Sequence, residues 1–297
     1  VQVQCAGANF FDGLMAQRKY QIQPSLPFTL GSEFSGIVTE VGGDTKSVKV
    51  GDRVFGGGVL GSFAEEVVIN EEDILQIPHS MDFADAAGIF ITFPTAYAGL
   101  VLRAKVRPGE TVLVHAAAGG VGVAAVQIAK ALGATVVATC SSDKGDVARR
   151  AGADHVLDYG CKDWIQQVKD VCDGVDVVFD PVGLPLESTK LMRWNARFVV
   201  VGFAGTTSIP TIALNRILLK NISFIGLHWG AYTVHEPDAV SRVWHGLFKL
   251  IERGLLRSIL FEQRFALHEV SNALEAIASR KTYGKVVIDV AHPSSKL

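Results

Sequence analysis

Ala117, Gly119 and Gly122 stand at the spacing A-x-G-x-x-G, between a short apolar run at residues 111–115 and a stretch of small apolar residues at 121–132. The chemistry that such a spacing serves is the binding of a dinucleotide pyrophosphate. The first N–H groups of a helix carry a partial positive charge, and an anion reaches them only where no side chain stands in the turn. One small residue makes the turn, one lets the phosphates approach, and one lets helix and strand pack closely. Alanine at the first position is a common variant. A lone glycine motif is weak, but here a strand precedes it, a helix follows, and a second buried strand at residues 135–139 comes about 20 residues on.

The end of that second strand bears on which dinucleotide is bound. Where the ribose 2′-OH is held, an Asp or Glu stands there. This chain has Ala138-Thr139-Cys140-Ser141-Ser142, then Asp143 and Lys144, with Arg149 and Arg150 further on. Hydroxyl and ammonium donors suit a 2′-phosphate, which a carboxylate at the strand end would repel. NADPH is therefore favoured over NADH. Asp143 runs against that preference, and Arg149 and Arg150 read as an ordinary solvated helix face.

Around this unit the chain falls into three stretches. Residues 1–93 are β-rich, with strands at 36–41, 52–55 and 64–69 punctuated by glycine, a pattern that suits a small barrel. Residues 94–232 alternate strand and helix, ending on a strand at 222–226, which argues a parallel sheet covered on both faces. Residues 233–297 carry helices at 239–253 and 268–279 and a last strand at 285–290, and return to complete the first domain.

Length and composition agree. The 297 residues suffice for two domains; 48% are hydrophobic and 20% charged, and the net charge of −2 gives no basic excess for nucleic acid or an anionic membrane. No apolar run reaches the length of a membrane span. Cys5, Cys140, Cys161 and Cys172 form no C-x-x-C pair and read as free thiols. No Ser-His-Asp set, paired carboxylates or Cys-His nucleophile stands out, and His115 reads as a satisfied strand-end histidine. That suits hydride transfer, in which the cofactor carries the chemistry. The chain opens on Val1 in what reads as the middle of a strand, so further N-terminal residues are expected.

Gly7-Ala8-Asn9-Phe10-Phe11-Asp12, Gly31-Ser32-Glu33-Phe34-Ser35-Gly36, Gly51-Asp52-Arg53-Val54, Thr95-Ala96-Tyr97, the 115–122 turn, Asp180-Pro181-Val182-Gly183, the stretch from Phe224 to Gly230 and Gly284-Lys285-Val286 follow in one order. In that order the chain resembles the zinc-independent quinone oxidoreductase branch of the medium-chain dehydrogenase/reductase superfamily, over nearly its whole length. The resemblance implies a fold of class α/β, a Rossmann doubly wound parallel sheet plus a GroES-like β-barrel catalytic domain. It places Asn9 and Thr95 at the nicotinamide end, and Ala118, Gly119, Gly120 and Val121 around the pyrophosphate. Ser141 and Lys144 fall on the 2′-phosphate, Tyr159 near the adenosine, and Val182, Gly202 and Phe203 about the nicotinamide ring, with Leu227 and Trp229 close by. Lys285 approaches from the C-terminal strand. Zinc-dependent relatives carry Cys at the position of Asn9 and His at that of Ser32, and neither Asn nor Ser is a preferred zinc ligand, so catalysis is expected to be metal-free.

Asn9 and Tyr20 are the catalytic candidates. Asn9 could instead hold its own turn, and Tyr20 could be a tyrosine at a cleft mouth; Leu14 stands where several family members carry tyrosine. The expected activity is NADPH-dependent reduction of quinones or α,β-unsaturated carbonyls, with an enoyl thioester as alternative substrate, or a low-turnover NADPH-binding sensor as alternative role. An apolar edge strand at 222–226 suggests a homodimer. Ser295-Lys296-Leu297 reads as an address for the peroxisomal import receptor; cytoplasm is the alternative, or mitochondrion if a transit peptide precedes Val1.

Overall fold

The computed structural model describes residues 1–206 and 208–291, so Ser295-Lys296-Leu297 lies outside the described residues. In chain order the strands are β1 (Gln2–Ala8), β2 (Phe34–Ile37), β3 (Arg53–Gly56), β4 (Ile74–Gln76), β5 (Thr111–Val114), β6 (Thr135–Cys140), β7 (His155–Asp158), β8 (Val175–Asp180), β9 (Met192–Val200), β10 (Ser223–Gly226), β11 (Phe265–Ala266) and β12 (Val286–Asp289). They form two six-stranded sheets in two compact units, Val1–Ile91 with the residues from Ser258 onward, and Thr92–Arg257.

The second unit is the doubly wound one. Its strand order is β10-β9-β8-β5-β6-β7, and every pairing is parallel. Helices cover both faces of such a sheet, so its inner strands are continuous apolar runs: all four residues of β5 are buried, and five of the six in β6. The helix Gly120–Ala131 is buried from Gly122 to Ala129, which small residues permit. Gly122 sets how close it lies to the strand turn, since a Cβ there would stand 2.1 Å from the Ala116 carbonyl oxygen. The strand order reverses between β5 and β8, the switch point at which open α/β sheets bind ligands beyond the carboxyl ends of their strands.

The unit boundary differs from the sequence reading at its second crossing, which falls after Arg257 and not at 232. The cause is the helix Pro237–Glu252. Its buried stripe of Ala239, Val243, Trp244, Leu247 and Ile251 needs an apolar surface, and Gly246 lies so close to Tyr97 that a Cβ would meet its hydroxyl at 2.1 Å. The helix therefore belongs with the helix Thr92–Tyr97 in the parallel-sheet unit.

The first unit is the GroES-like sheet, β11-β12-β1-β2-β3-β4, antiparallel except between β11 and β12. Its core gathers Val3, Ala6, Phe34, Val54, Phe265 and Ile288. Residues 64–69 make no regular strand. Val3 N–H donates to Glu65 O and Val67 N–H to Val1 O, both at 2.9 Å, but the edge of β1 is taken over by β12 from Cys5 onward, leaving room for an isolated bridge at Glu66. No helix among the described residues is long and apolar enough to cross a membrane.

Candidate active site

The carboxyl edge of the parallel sheet collects most of the residues singled out above. Beyond β5, Ala118 and Gly119 lead into the helix Gly120–Ala131, with Gly119 as an N-cap in extended backbone and no side chain closing the end. Gly119 N–H is used within the turn, on Ala116 O at 2.9 Å. The N–H groups of Gly120 and Val121 have no preceding helical turn to donate to. A Cβ on Gly119 would touch only Ala116 O, at 3.3 Å, so the side from which an anion approaches is open. The donor set fits a pyrophosphate.

One strand over, beyond β6, Ser141 is followed by the single turn Ser142–Lys144, in which Lys144 N–H donates to Ser141 O at 3.0 Å. Ser141 and Lys144 are both half-buried. Tyr159 follows β7 and is tied to the same corner, its N–H donating to Cys140 O at 3.3 Å while its ring is 40% exposed. Two carboxylates lie near. Asp143 is exposed, and Asp158 accepts from Gly160 N–H at 2.7 Å in its own turn. Cys140 ends the strand as a buried thiol, pushed up to about 11 chiefly by burial.

On the other side of the switch point, Asp180 at the end of β8 does the local work. It is 1% exposed; Oδ1 accepts from Val182 N–H at 2.8 Å and Gly183 N–H at 2.9 Å, and Oδ2 from Leu184 N–H at 2.6 Å. Its carbonyl accepts from Val201 and Gly202 N–H, at 2.9 and 3.3 Å. One residue thereby fixes both turns that carry Val182, Gly202 and Phe203. Leu227, nearly buried, follows β10 and donates to Val200 O at 3.0 Å, while Trp229 stacks on Tyr232. Thr95 is half-buried in the helix Thr92–Tyr97; Gly99, a turn further on, packs against Phe179 and Leu227. His115, at the end of β5, is fully buried. Ser188 Oγ donates to Leu184 O, so it accepts from His115 Nε2 at 2.9 Å, which leaves Nδ1 to accept from Thr139 Oγ1 at 2.7 Å. Burial lowers its pKa and keeps it neutral.

In the first unit Asn9 precedes the helix Phe10–Ala16. An asparagine there ordinarily caps the helix with its side chain. This one does not. Asp12 reaches back instead, Oδ2 accepting from Asn9 N–H at 2.7 Å. The Asn9 amide turns inward: Nδ2 donates to Glu33 Oε1 at 2.8 Å, and Oδ1 accepts from Lys285 Nζ at 2.5 Å. Lys285 also forms an ion pair with Glu33, and both side chains are buried. Asn9 also holds its own turn, since its carbonyl accepts from Asp12 N–H at 3.2 Å and Nδ2 lies 3.4 Å from Gly7 O. Lys285 thus meets two partners inside the unit, Asn9 and Glu33. Ser32 Oγ lies 2.9 Å from Val59 O and 3.3 Å from Asp12 Oδ1. Burial pushes the Asp12 carboxyl up to about 6, against the pull of Asn9 N–H and Lys285. Tyr20 is half-buried and stacks on Phe11 at 5.5 Å; burial first, then the Asp12 charge, raises its pKa.

A zinc ion fits this cluster poorly, because the Lys285 ammonium already sits against Asn9 Oδ1 and the Ser32 hydroxyl is bonded within the unit. Among the described residues no group of three or more His, Cys, Asp or Glu side chains is placed to hold a metal ion. The organising residues not singled out from the sequence are Glu33 and Asp180. Both stand inside the motifs that carry the resemblance, and an acid in an apolar setting is the available signal.

Residues 1–79 match the family described as alcohol dehydrogenase GroES-like domain, and residues 120–249 the one described as zinc-binding dehydrogenase. The chain is 38% identical over 295 residues to a quinone oxidoreductase-like protein 2 homolog of Nematostella vectensis, covering 97% of this chain and 80% of that one. The crystal structure of Escherichia coli quinone oxidoreductase complexed with NADPH superposes with a TM-score of 0.87 at 30% identity, over 98% of this chain and 90% of that one. The CurK enoyl reductase superposes with a TM-score of 0.87 at 28% identity, over the same shares. The chain belongs to the quinone oxidoreductase-like family of the medium-chain dehydrogenase/reductase superfamily, a family of oxidoreductases.

Proposed function

We propose that this oxidoreductase uses NADPH to reduce small quinones or α,β-unsaturated carbonyls, without a metal. The observation that carries the reading is the carboxyl edge of the parallel sheet. An uncapped glycine turn stands beside the switch point, with Ser141 and Lys144 one strand away where an acid would select NADH. NADPH, when bound, supplies a hydride. Ala118 to Val121 hold the pyrophosphate, Ser141 and Lys144 the 2′-phosphate, and Tyr159 covers the adenosine. Val182, Gly202 and Phe203 flank the nicotinamide, and Val182, Phe203 and Leu227 keep its surroundings apolar, which excludes water from the reacting carbon. Tyr20 remains a protonated hydroxyl near neutrality, because burial and Asp12 raise its pKa, and it can give a proton to a substrate oxygen. The fixed Lys285 ammonium supports the metal-free reading, since it leaves little place for a second cation.

The likeness to an enoyl reductase favours a second substrate class, an enoyl thioester, for the same hydride step. Stopped-flow absorbance of NADPH with 9,10-phenanthrenequinone, and separately with a crotonyl thioester, tests both. Oxidation with the quinone supports the first reading and oxidation with the thioester alone the second. Tight NADPH binding with no oxidation by either acceptor refutes both and leaves the sensor role.

A further inference from the structure

We propose that Glu33 and Lys285 are positioning residues that fix which end of the Asn9 carboxamide faces which way. The two ends of an amide are nearly alike in shape and opposite in hydrogen bonding, so neighbours alone decide its orientation. Here the neighbours carry opposite charges. The Asn9 NH₂ group lies on the Glu33 carboxylate and its oxygen on the Lys285 ammonium. The reversed amide would set N–H against ammonium and C=O against carboxylate. Asn9 is also relieved of helix capping, which Asp12 performs.

Both partners are held by further contacts. Glu33 Oε2 accepts from Ile91 N–H at 2.9 Å, and Glu33 O from Gly7 N–H at 3.1 Å. Lys285 is locked through its backbone, N–H to Ile259 O and O to Phe261 N–H, each at 2.9 Å. Two glycines make room for the stems: a Cβ at Gly7 would stand 2.8 Å from Glu33 Cγ, and one at Gly88 3.1 Å from Lys285 Cγ. A buried ion pair is a poor source of stability compared with apolar packing. An oriented amide gives this one a use. One Nδ2 hydrogen is committed to Glu33, while the other reaches Gly7 O only at 3.4 Å. The amide thus keeps a second hydrogen of fixed direction, for the nicotinamide end at which the family resemblance places Asn9; this inference rests on the proposed function.

The test is a double-mutant cycle. Lys285→Met and Asn9→Ala are made singly and together, and kcat with phenanthrenequinone, the NADPH dissociation constant by fluorescence and the melting temperature are measured. Lys285→Met is expected to lower kcat about tenfold with the NADPH constant changed less than about threefold, and to change kcat less than about twofold once Asn9 is alanine. An equal loss of kcat in both backgrounds overturns the proposal, because Lys285 then acts without Asn9. If Lys285→Met alone does not melt cooperatively, Glu33→Gln/Lys285→Met, which leaves no unpaired charge, replaces it in the cycle with the same two outcomes. A readout independent of turnover is the side-chain NH₂ pair of Asn9 in asparagine-labelled NMR spectra, identified by its loss in Asn9→Ala. Two sharp, exchange-protected signals that shift and broaden on removal of the ion pair support the proposal; a spectrum unmoved by that removal overturns it. A parent protein inert toward every acceptor would sink the proposed function, while the NMR result would still decide the orientation.

Discussion

Replacing Gly122 by alanine separates the two jobs of the glycine turn. A Cβ built there stands 2.1 Å from Ala116 O and 2.8 Å from Ala116 C and Ala117 Cα, all backbone atoms that no rotamer change can move. Carbon and oxygen approach to about 3.3 Å in close contacts, so helix and turn must part by about 1 Å. Overpacking of this kind costs about 1–3 kcal/mol, against a gain of about 1 kcal/mol for alanine over glycine within a helix. Because every atom met is backbone, the cost lies at the upper end of that range, and the net loss should be about 2 kcal/mol, a fall in melting temperature of about 4–8 °C. Displacement passes to the anion edge, because Ala116 O also accepts from Gly119 N–H and Ala116 sits at φ 47°. NADPH affinity should fall about tenfold, the equivalent of about 1.4 kcal/mol. Gly119→Ala is the contrast. Its backbone is ordinary extended chain and its new methyl meets only Ala116 O at 3.3 Å, so stability should hold while NADPH binding weakens. Differential scanning fluorimetry with and without NADPH reads both quantities. Equal destabilisation by the two variants, or an unchanged Gly122→Ala, would refute the reasoning.

Lys144→Ala should raise the NADPH dissociation constant about tenfold and change that of NADH far less, since NADH lacks the 2′-phosphate that Lys144 is proposed to meet; equal weakening of both would count against the assignment. The Asp12 carboxyl binds its proton more tightly folded than unfolded, so its contribution to stability is full below its ordinary 3.8 and lost as pH rises through about 6. Asp12→Asn should therefore gain stability relative to the parent as pH rises from 4 to 7, by up to about 3 kcal/mol, and an unchanged difference in melting temperature across that range would contradict this. Edge strand β10 follows the exposed Leu214, Leu218 and Leu219, a surface suited to a second copy of the chain. Light scattering should give a dimer, and Leu218→Glu a monomer; a monomeric parent refutes it. A fluorescent protein carrying the last twelve residues should enter peroxisomes and become diffuse when Ser295 to Leu297 are deleted; a diffuse signal from the intact fusion argues against the address.

The parallel sheet was legible because its strands, buried on both faces, are continuous apolar runs with glycine between them. The strand Thr135–Cys140 and the helix Gly120–Ala131 stand within a residue of where the sequence puts them, at 135–139 and 121–132. An amphipathic stripe, by contrast, tells that a helix is covered without telling by what, and the helix Pro237–Glu252 was therefore set in the wrong unit. Residues 64–69 have a strand's composition, but pairing needs a free edge, which β12 takes. The partner of Asn9 lies 276 positions away, and nothing local to Lys285 distinguishes a lysine that reaches a ligand from one that closes a buried ion pair.

The same physics runs through both units. A carboxylate can be buried at modest cost when N–H groups or a cation saturate its oxygens. Asp180 meets that condition with three backbone N–H groups, and Glu33 with Ile91 N–H, the Asn9 amide and Lys285. Each acid thus has a second effect, which is to fix the backbone or amide that satisfies it. For Asp180 the fixed parts are the turns after β8 and β9, including Gly183 at φ 94°. A binding edge ordered in this way owes its shape to the sheet and not to the ligand, so little ordering entropy is left to lose when a cofactor arrives. The neutral His115 beneath it adds no competing charge, since both of its nitrogens are satisfied by hydroxyls.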